Sequence, residues 1–141
     1  MAIGALVARQ GVAEKLVPGT HASTFGGNSL ACAAAIAAFE TVEEEHLLDH
    51  VNEISAYALG RLGDLKGQFD FIKSVRGRGV MIGMELTRSG QPIVQRCMDN
   101  GLLINCTHDT VLRFLPAMNV SREIMDEGLA ILEQALSEEK T

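Results

Sequence analysis

The chain has 141 residues, the size of one domain, and 47% are hydrophobic, enough for a packed core and too many for disorder. Its net charge of −6, with 4% aromatics and no Trp, excludes the basic, aromatic-bearing face that nucleic acid requires. Cys32, Cys97 and Cys106 are odd in number and lack Cys-x-x-Cys spacing, which sets aside a disulfide framework and a zinc site and points to reduced thiols in a cytoplasm.

Taken in chain order, Ile3-Gly4-Ala5-Leu6-Val7-Ala8-Arg9 reads as a buried strand. The apolar run from Ala2 to Ala8 has no basic flank and is too short to span a bilayer. Residues 10–27 read as a short helical turn and then a loop rich in Gly, Thr and Ser. Asn28 is placed to cap a helix that begins with Leu30, Ala31, Cys32, Ala33, Ala34, Ala35, Ile36, Ala37, Ala38 and Phe39. Side chains this small permit close approach of a neighbouring helix or subunit; they are also simply strong helix formers.

Past the polar Glu43-Glu44-Glu45-His46, the residues Leu47, Leu48, Val51, Ile54, Tyr57, Ala58 and Leu62 recur at helical spacing. Gly63 and Gly67 are expected to fray that helix. A compact α/β part is predicted from Phe71 onward. It holds a strand over 72–75, a glycine turn at Arg76-Gly77-Arg78-Gly79, and a strand over 80–86. A helix follows from Gly90-Gln91-Pro92 to about Asn100 and stops at Gly101. Strands over 102–106 and 111–115 flank a His108-Asp109 turn, and Ser121 caps a terminal helix. Residues 137–141 read as a charged, loose tail.

Three places could carry chemistry. Ser23 and Thr24 precede Phe25-Gly26-Gly27 near a helix start, and hydroxyls with exposed backbone N–H groups suit a phosphate or carboxylate. Such loops also serve as plain helix caps. Arg113, inside the apolar run Val111-Leu112-Arg113-Phe114-Leu115-Pro116, either points to solvent or meets a carboxylate with its guanidinium fork. His46 and His50 are four residues apart, but the acids around them look like a solvated surface, and no metal site is assigned. His21 either packs against a ligand or caps the loop. Lys15, Lys66, Lys73 and Lys140 all lack the apolar setting that would depress a lysine pKa.

Four blocks together carry a resemblance. They are Gly19-Thr20-His21-Ala22-Ser23-Thr24-Phe25-Gly26-Gly27-Asn28 with the preceding Ile3-Gly4-Ala5, Val75-Arg76-Gly77-Arg78-Gly79-Val80-Met81-Ile82-Gly83, Gly101-Leu102-Leu103-Ile104-Asn105, and Leu112-Arg113-Phe114-Leu115-Pro116-Ala117-Met118-Asn119-Val120. In order and spacing they resemble the class III pyridoxal-phosphate aminotransferases, and most nearly the N-acetylornithine branch. The succinylornithine, ornithine and 4-aminobutyrate branches are close competitors.

The resemblance implies an α/β chain: the C-terminal part of the fold type I architecture, with a small antiparallel-type sheet, helices and a long connecting helix. It divides the chain into residues 1–30 as the end of a large cofactor-binding domain, 31–70 as connecting helices and 71–141 as a small domain. It implies that Thr24 contacts the phosphate of pyridoxal 5'-phosphate across a homodimer interface, that Ser23 lies at the substrate, and that Arg113 grips a substrate carboxylate. The family's Schiff-base lysine falls just upstream of Ile3-Gly4-Ala5, so no catalytic residue is assigned here. The expectation is a cytoplasmic enzyme's C-terminal portion, inactive alone and without nucleic-acid or membrane partners. Its first 40 residues would expose apolar surface that a larger domain covers. The competing expectations are a free-standing α/β anion-binding module and a dimerisation unit built on the alanine-rich helix.

Overall fold

A computed structural model describes residues 2–139. The chain divides between His46 and Leu47 into two compact units.

The N-terminal unit holds α1 (Gln10–Ala13) and α2 (Ser29–Glu44). Asn28 caps α2 as its position predicts, Oδ1 accepting the Ala31 N–H at 2.9 Å. The strand predicted over Ile3–Arg9 does not form: these residues are irregular, and all but the half-buried Ala8 are exposed. A strand is stabilised by ladder hydrogen bonds and a covered face, and no described strand pairs with this segment. Leu6, Val7, Phe25, Leu30 and Phe39 are each more than two-thirds exposed. Ala31 is the one described residue of this unit whose side chain is buried.

In the C-terminal unit, α3 (Leu47–Gln68) buries Leu47, Val51, Ile54, Ala58, Leu62 and Leu65 along one stripe. The helix runs on through Gly63 and Gly67, which lie on its exposed side. Each interior glycine costs about 1 kcal/mol against alanine. The stripe beneath them offsets that loss, and the predicted fraying is absent.

Four antiparallel strands follow: β1 (Ile72–Arg78), β2 (Met81–Leu86), β3 (Asn105–Thr107) and β4 (Val111–Phe114), in spatial order β1-β2-β4-β3. Helix α4 (Gln91–Asp99) links β2 to β3, and α5 (Arg122–Ser137) ends the unit. The predicted turn at 76–79 is displaced. Arg76, Gly77 and Arg78 belong to β1, and the chain reverses at Gly79-Val80, where Gly79 takes φ +54°. Only Gly79 uses the left-handed freedom expected of two glycines. Gly77 serves close packing instead, since a Cβ there would stand 2.9 Å from the Met81 carbonyl oxygen. Residues 102–104 precede β3 rather than forming part of it.

One sheet face carries Ile82, Met84, Leu86 and Leu112 into a core with Leu62 and Leu65 of α3, Ile93 and Cys97 of α4, and Leu132 and Leu136 of α5. Burial pushes the Cys97 thiol up to about 11. The three cysteines are free thiols. The tail is held where looseness was expected: Ser137 closes α5, while Glu138 and Glu139 pair with Arg96 of α4, Glu138 at 3.2 Å. Lys140 and Thr141 lie outside the described residues. The architecture is the mixed helix and antiparallel sheet that the sequence predicts.

Candidate functional site

Ser23 and Thr24 share one loop of the N-terminal unit, and Arg113 lies on the sheet of the C-terminal unit. The loop is stapled by its own polar groups. Gly19 turns the chain at φ +91°, and the Thr20 hydroxyl donates to the Val17 carbonyl at 2.6 Å. Ser23 Oγ accepts the Gly26 N–H at 3.0 Å. A Cβ on Gly26 would stand 2.9 Å from Ser23 Cβ and Oγ, so this closure needs glycine. Asn28 Nδ2 donates to the Phe25 carbonyl at 2.8 Å, which ties the loop to the helix cap.

Thr24 stands on this pinned segment with an exposed hydroxyl that makes no hydrogen bond among the described residues. Helix α2 has no acidic residue in its first turn, so the positive end of its dipole is uncompensated beside the loop. His21 Nδ1 lies 3.3 Å from the Thr20 hydroxyl, and its place is therefore within the loop's own bonding.

Arg113 is exposed, on the sheet face opposite the core. It sits in register with Gly83 of β2 on one side and Asn105 of β3 on the other, and Gly83 in turn faces Arg76 of β1. Residues directly opposite across antiparallel strands share a face. Arg76, Gly83, Arg113 and Asn105 therefore form one row across the sheet. Arg113 Nε donates to Asn105 Oδ1 at 3.1 Å, and the guanidinium has no carboxylate partner among the described residues.

The acid one step along this face is Glu85, opposite Val111. Lys73 holds one of its oxygens at 2.6 Å and Arg76 the other at 2.9 Å. The Lys73 hydrogen bond first, and the Arg76 hydrogen bond next, hold the Glu85 carboxyl below its ordinary range. Arg76 is thus an ion-paired surface residue. A shallow depression lined by Arg76, Gly77, Met81, Gly83, Val111 and Arg113 lies over the glycine.

Asn105 and Gly83 were each visible within a sequence block but carried no role. Their signal was a glycine inside an apolar strand and an amide just before the arginine hairpin. Neither had meaning until the strand order made both neighbours of Arg113.

A second polar cluster joins two helices. Tyr57 donates to Asp126, Arg61 bonds both, and the Arg122 guanidinium stacks 4.0 Å from the Tyr57 ring centre, so α3 is tied to α5. His46 sits in the turn before α3 at φ +50°, off any shared helical face, and His50 Nε2 donates to the Val120 carbonyl at 2.8 Å. No cluster of His, Cys, Asp or Glu among the described residues is arranged to hold a metal.

Residues 1–136 match the family described as aminotransferase class-III. An acetylornithine aminotransferase of Methanocaldococcus jannaschii is 46% identical over 138 residues, which is 98% of this chain and 35% of that protein. The solved acetylornithine aminotransferase of Elizabethkingia anophelis superposes with TM-score 0.86 at 28% identity, covering 94% of this chain and 36% of that one. An ornithine aminotransferase of Toxoplasma gondii, whose active site holds PLP at partial occupancy, gives TM-score 0.85 at 32% identity over 92% of this chain and 33% of its own. The chain thus spans about a third of the length of the relatives it matches.

Proposed function

The chain belongs to the class-III aminotransferase family, and from that premise we propose that it supplies the C-terminal part of an enzyme moving an amino group between N-acetylornithine and 2-oxoglutarate. In this reading the pathway is arginine biosynthesis, the enzyme is a cytoplasmic homodimer, and the cofactor is pyridoxal 5'-phosphate. Residues 1–30 close a large cofactor-binding domain, 31–70 connect, and 71–141 form the small domain. The observation that carries the proposal is Arg113, an exposed guanidinium with one edge held and no carboxylate partner among the described residues. Amino acids and oxo acids share a carboxylate, and a guanidinium fork fits it.

The residues present fit the phosphate end of the cofactor. Thr24 offers a hydroxyl without a hydrogen-bond partner among the described residues, on a loop held by its own polar groups beside a helix N-terminus, which suits a phosphate oxygen. When bound, pyridoxal phosphate supplies the electron sink that lets an amino group pass from one acid to the other. Thr24 donates to its phosphate, Ser23 faces the substrate with a hydroxyl fixed by Gly26, and Arg113 orients the substrate carboxylate. No lysine of this chain is assigned to proton transfer at the substrate carbon, so the 141 residues alone are proposed to be inactive.

Two measurements test this. The purified chain, given N-acetylornithine, 2-oxoglutarate and pyridoxal phosphate, is expected to form no glutamate; steady turnover overturns the inactivity. In an intact subunit carrying this segment, Arg113→Ala is expected to lower kcat/KM about 10- to 100-fold, the loss of charge-assisted hydrogen bonds. Faster turnover of ornithine or 4-aminobutyrate than of N-acetylornithine would move the substrate assignment.

A further inference from the structure

We infer that Asn105 is a positioning residue for Arg113 and that Gly83 keeps open the place beside it, the two together shaping a carboxylate seat on the outer sheet face. This rests on the reading of Arg113 as a carboxylate grip, and it adds which edge of the guanidinium is offered and why the place is vacant of side chain.

An arginine presents five N–H donors on a planar fork. Asn105 Oδ1 takes the Nε–H of Arg113 at 3.1 Å. The fork is thereby oriented, and the four Nη donors remain for a ligand. An exposed arginine without such a tether loses rotamer freedom on binding, and a tether removes part of that loss in advance.

Gly83 faces Arg113 from the other side, in direct register. A side chain there would stand about 5 Å from Arg113 at the cross-strand position, in the space where a carboxylate must lie. The cause of the glycine is not backbone conformation, since its φ is not positive. Nor is it tight packing, since a Cβ would meet Val111 Cγ1 at 3.4 Å, ordinary contact. What a larger side chain would remove is the depression between Arg76 and Arg113. Glu85, the internal acid on this face, is held on both oxygens by Lys73 and Arg76. That pairing leaves Arg113 to a carboxylate from outside.

The test is an NMR titration of the 141-residue chain with 2-oxoglutarate, and in parallel with inorganic phosphate, following the Arg113 Nε–H signal. The wild type is expected to show saturable shifts and a slowly exchanging Nε–H. Asn105→Ala is expected to weaken 2-oxoglutarate about 3- to 10-fold and to abolish the slow exchange. Asn105→Gln, which restores an amide acceptor, is expected to recover most of both. Asn105→Asp is expected to weaken binding at least about tenfold, because the new carboxylate pairs with Arg113 itself. Gly83→Val is expected to block binding while leaving the Nε–H slow.

Unchanged affinity in Asn105→Ala, or no saturable binding in the wild type, overturns the inference. If 2-oxoglutarate binds well and the variants do not matter, the positioning role fails and the carboxylate reading survives. If phosphate binds as tightly as 2-oxoglutarate with the same ranking of variants, the positioning role survives and the carboxylate reading fails.

Discussion

Glu85 is shared by two cations, and that sharing fixes its pH behaviour. Its carboxyl is held below the ordinary range by Lys73 first and Arg76 second. A carboxyl whose pKa is lower folded than unfolded stabilises the fold above its unfolded value, near 4.3, and loses that contribution as pH falls through the folded value. Acid unfolding of Glu85→Gln is therefore expected to depend less on pH below about 4 than that of the wild type. The difference should shrink in high salt, because the pairs are at the surface. An equal acid limb in both proteins would show that the pairing contributes nothing. At this scale the sequence offered Arg113 as a polar residue in an apolar strand and left two readings. The residues on which the carboxylate proposal rests, Gly83 and Asn105, are 30 and 8 positions away and meet it only through strand order.

Elements were legible where local chemistry decides them. Asn28 and Ser121 both cap the helices that follow, accepting from Ala31 and Ile124. Asn28→Ala is expected to cost about 1 kcal/mol of α2 stability, read as lost helicity or faster amide exchange in its first turn. At the start of α5 the Glu123 carboxyl is held below its ordinary range, chiefly by its own backbone N–H and then by the Ser121 hydroxyl. The hairpin at Gly79 is the counterexample. Two glycines stood close together, and only the ladder showed which one turns. Gly79→Ala forces a left-handed φ of +54° on a residue with a Cβ, which also meets Val51 Cγ1 at 3.2 Å. The expected loss is about 1–2 kcal/mol by denaturant unfolding. Gly63→Ala, in open space on α3, should stabilise by up to about 1 kcal/mol. The Ile3–Arg9 strand failed because an apolar run specifies a strand only where another strand receives it.

For the whole molecule, apolar burial is divided unevenly between the two units. Leu132 is fully buried, and Leu132→Ala is expected to cost about 2–5 kcal/mol. Phe39 is 71% exposed, and Phe39→Ala should change the stability of this chain by less than about 0.5 kcal/mol. Comparable losses at both positions would mean that the N-terminal unit is covered in solution. No described helix is long and apolar enough to cross a membrane. By itself the sequence determined the helices, their caps, the apolar stripes, the family and the residue types of the candidate site. These follow from periodicity, capping chemistry and motif spacing, all local along the chain. The tertiary structure alone decided the strand order, which glycine turns, the pinning of Glu138 and Glu139 to Arg96, and the row Arg76-Gly83-Arg113-Asn105. Each of these depends on which strands and helices become neighbours, and long-range pairing is set by how the elements close around one core.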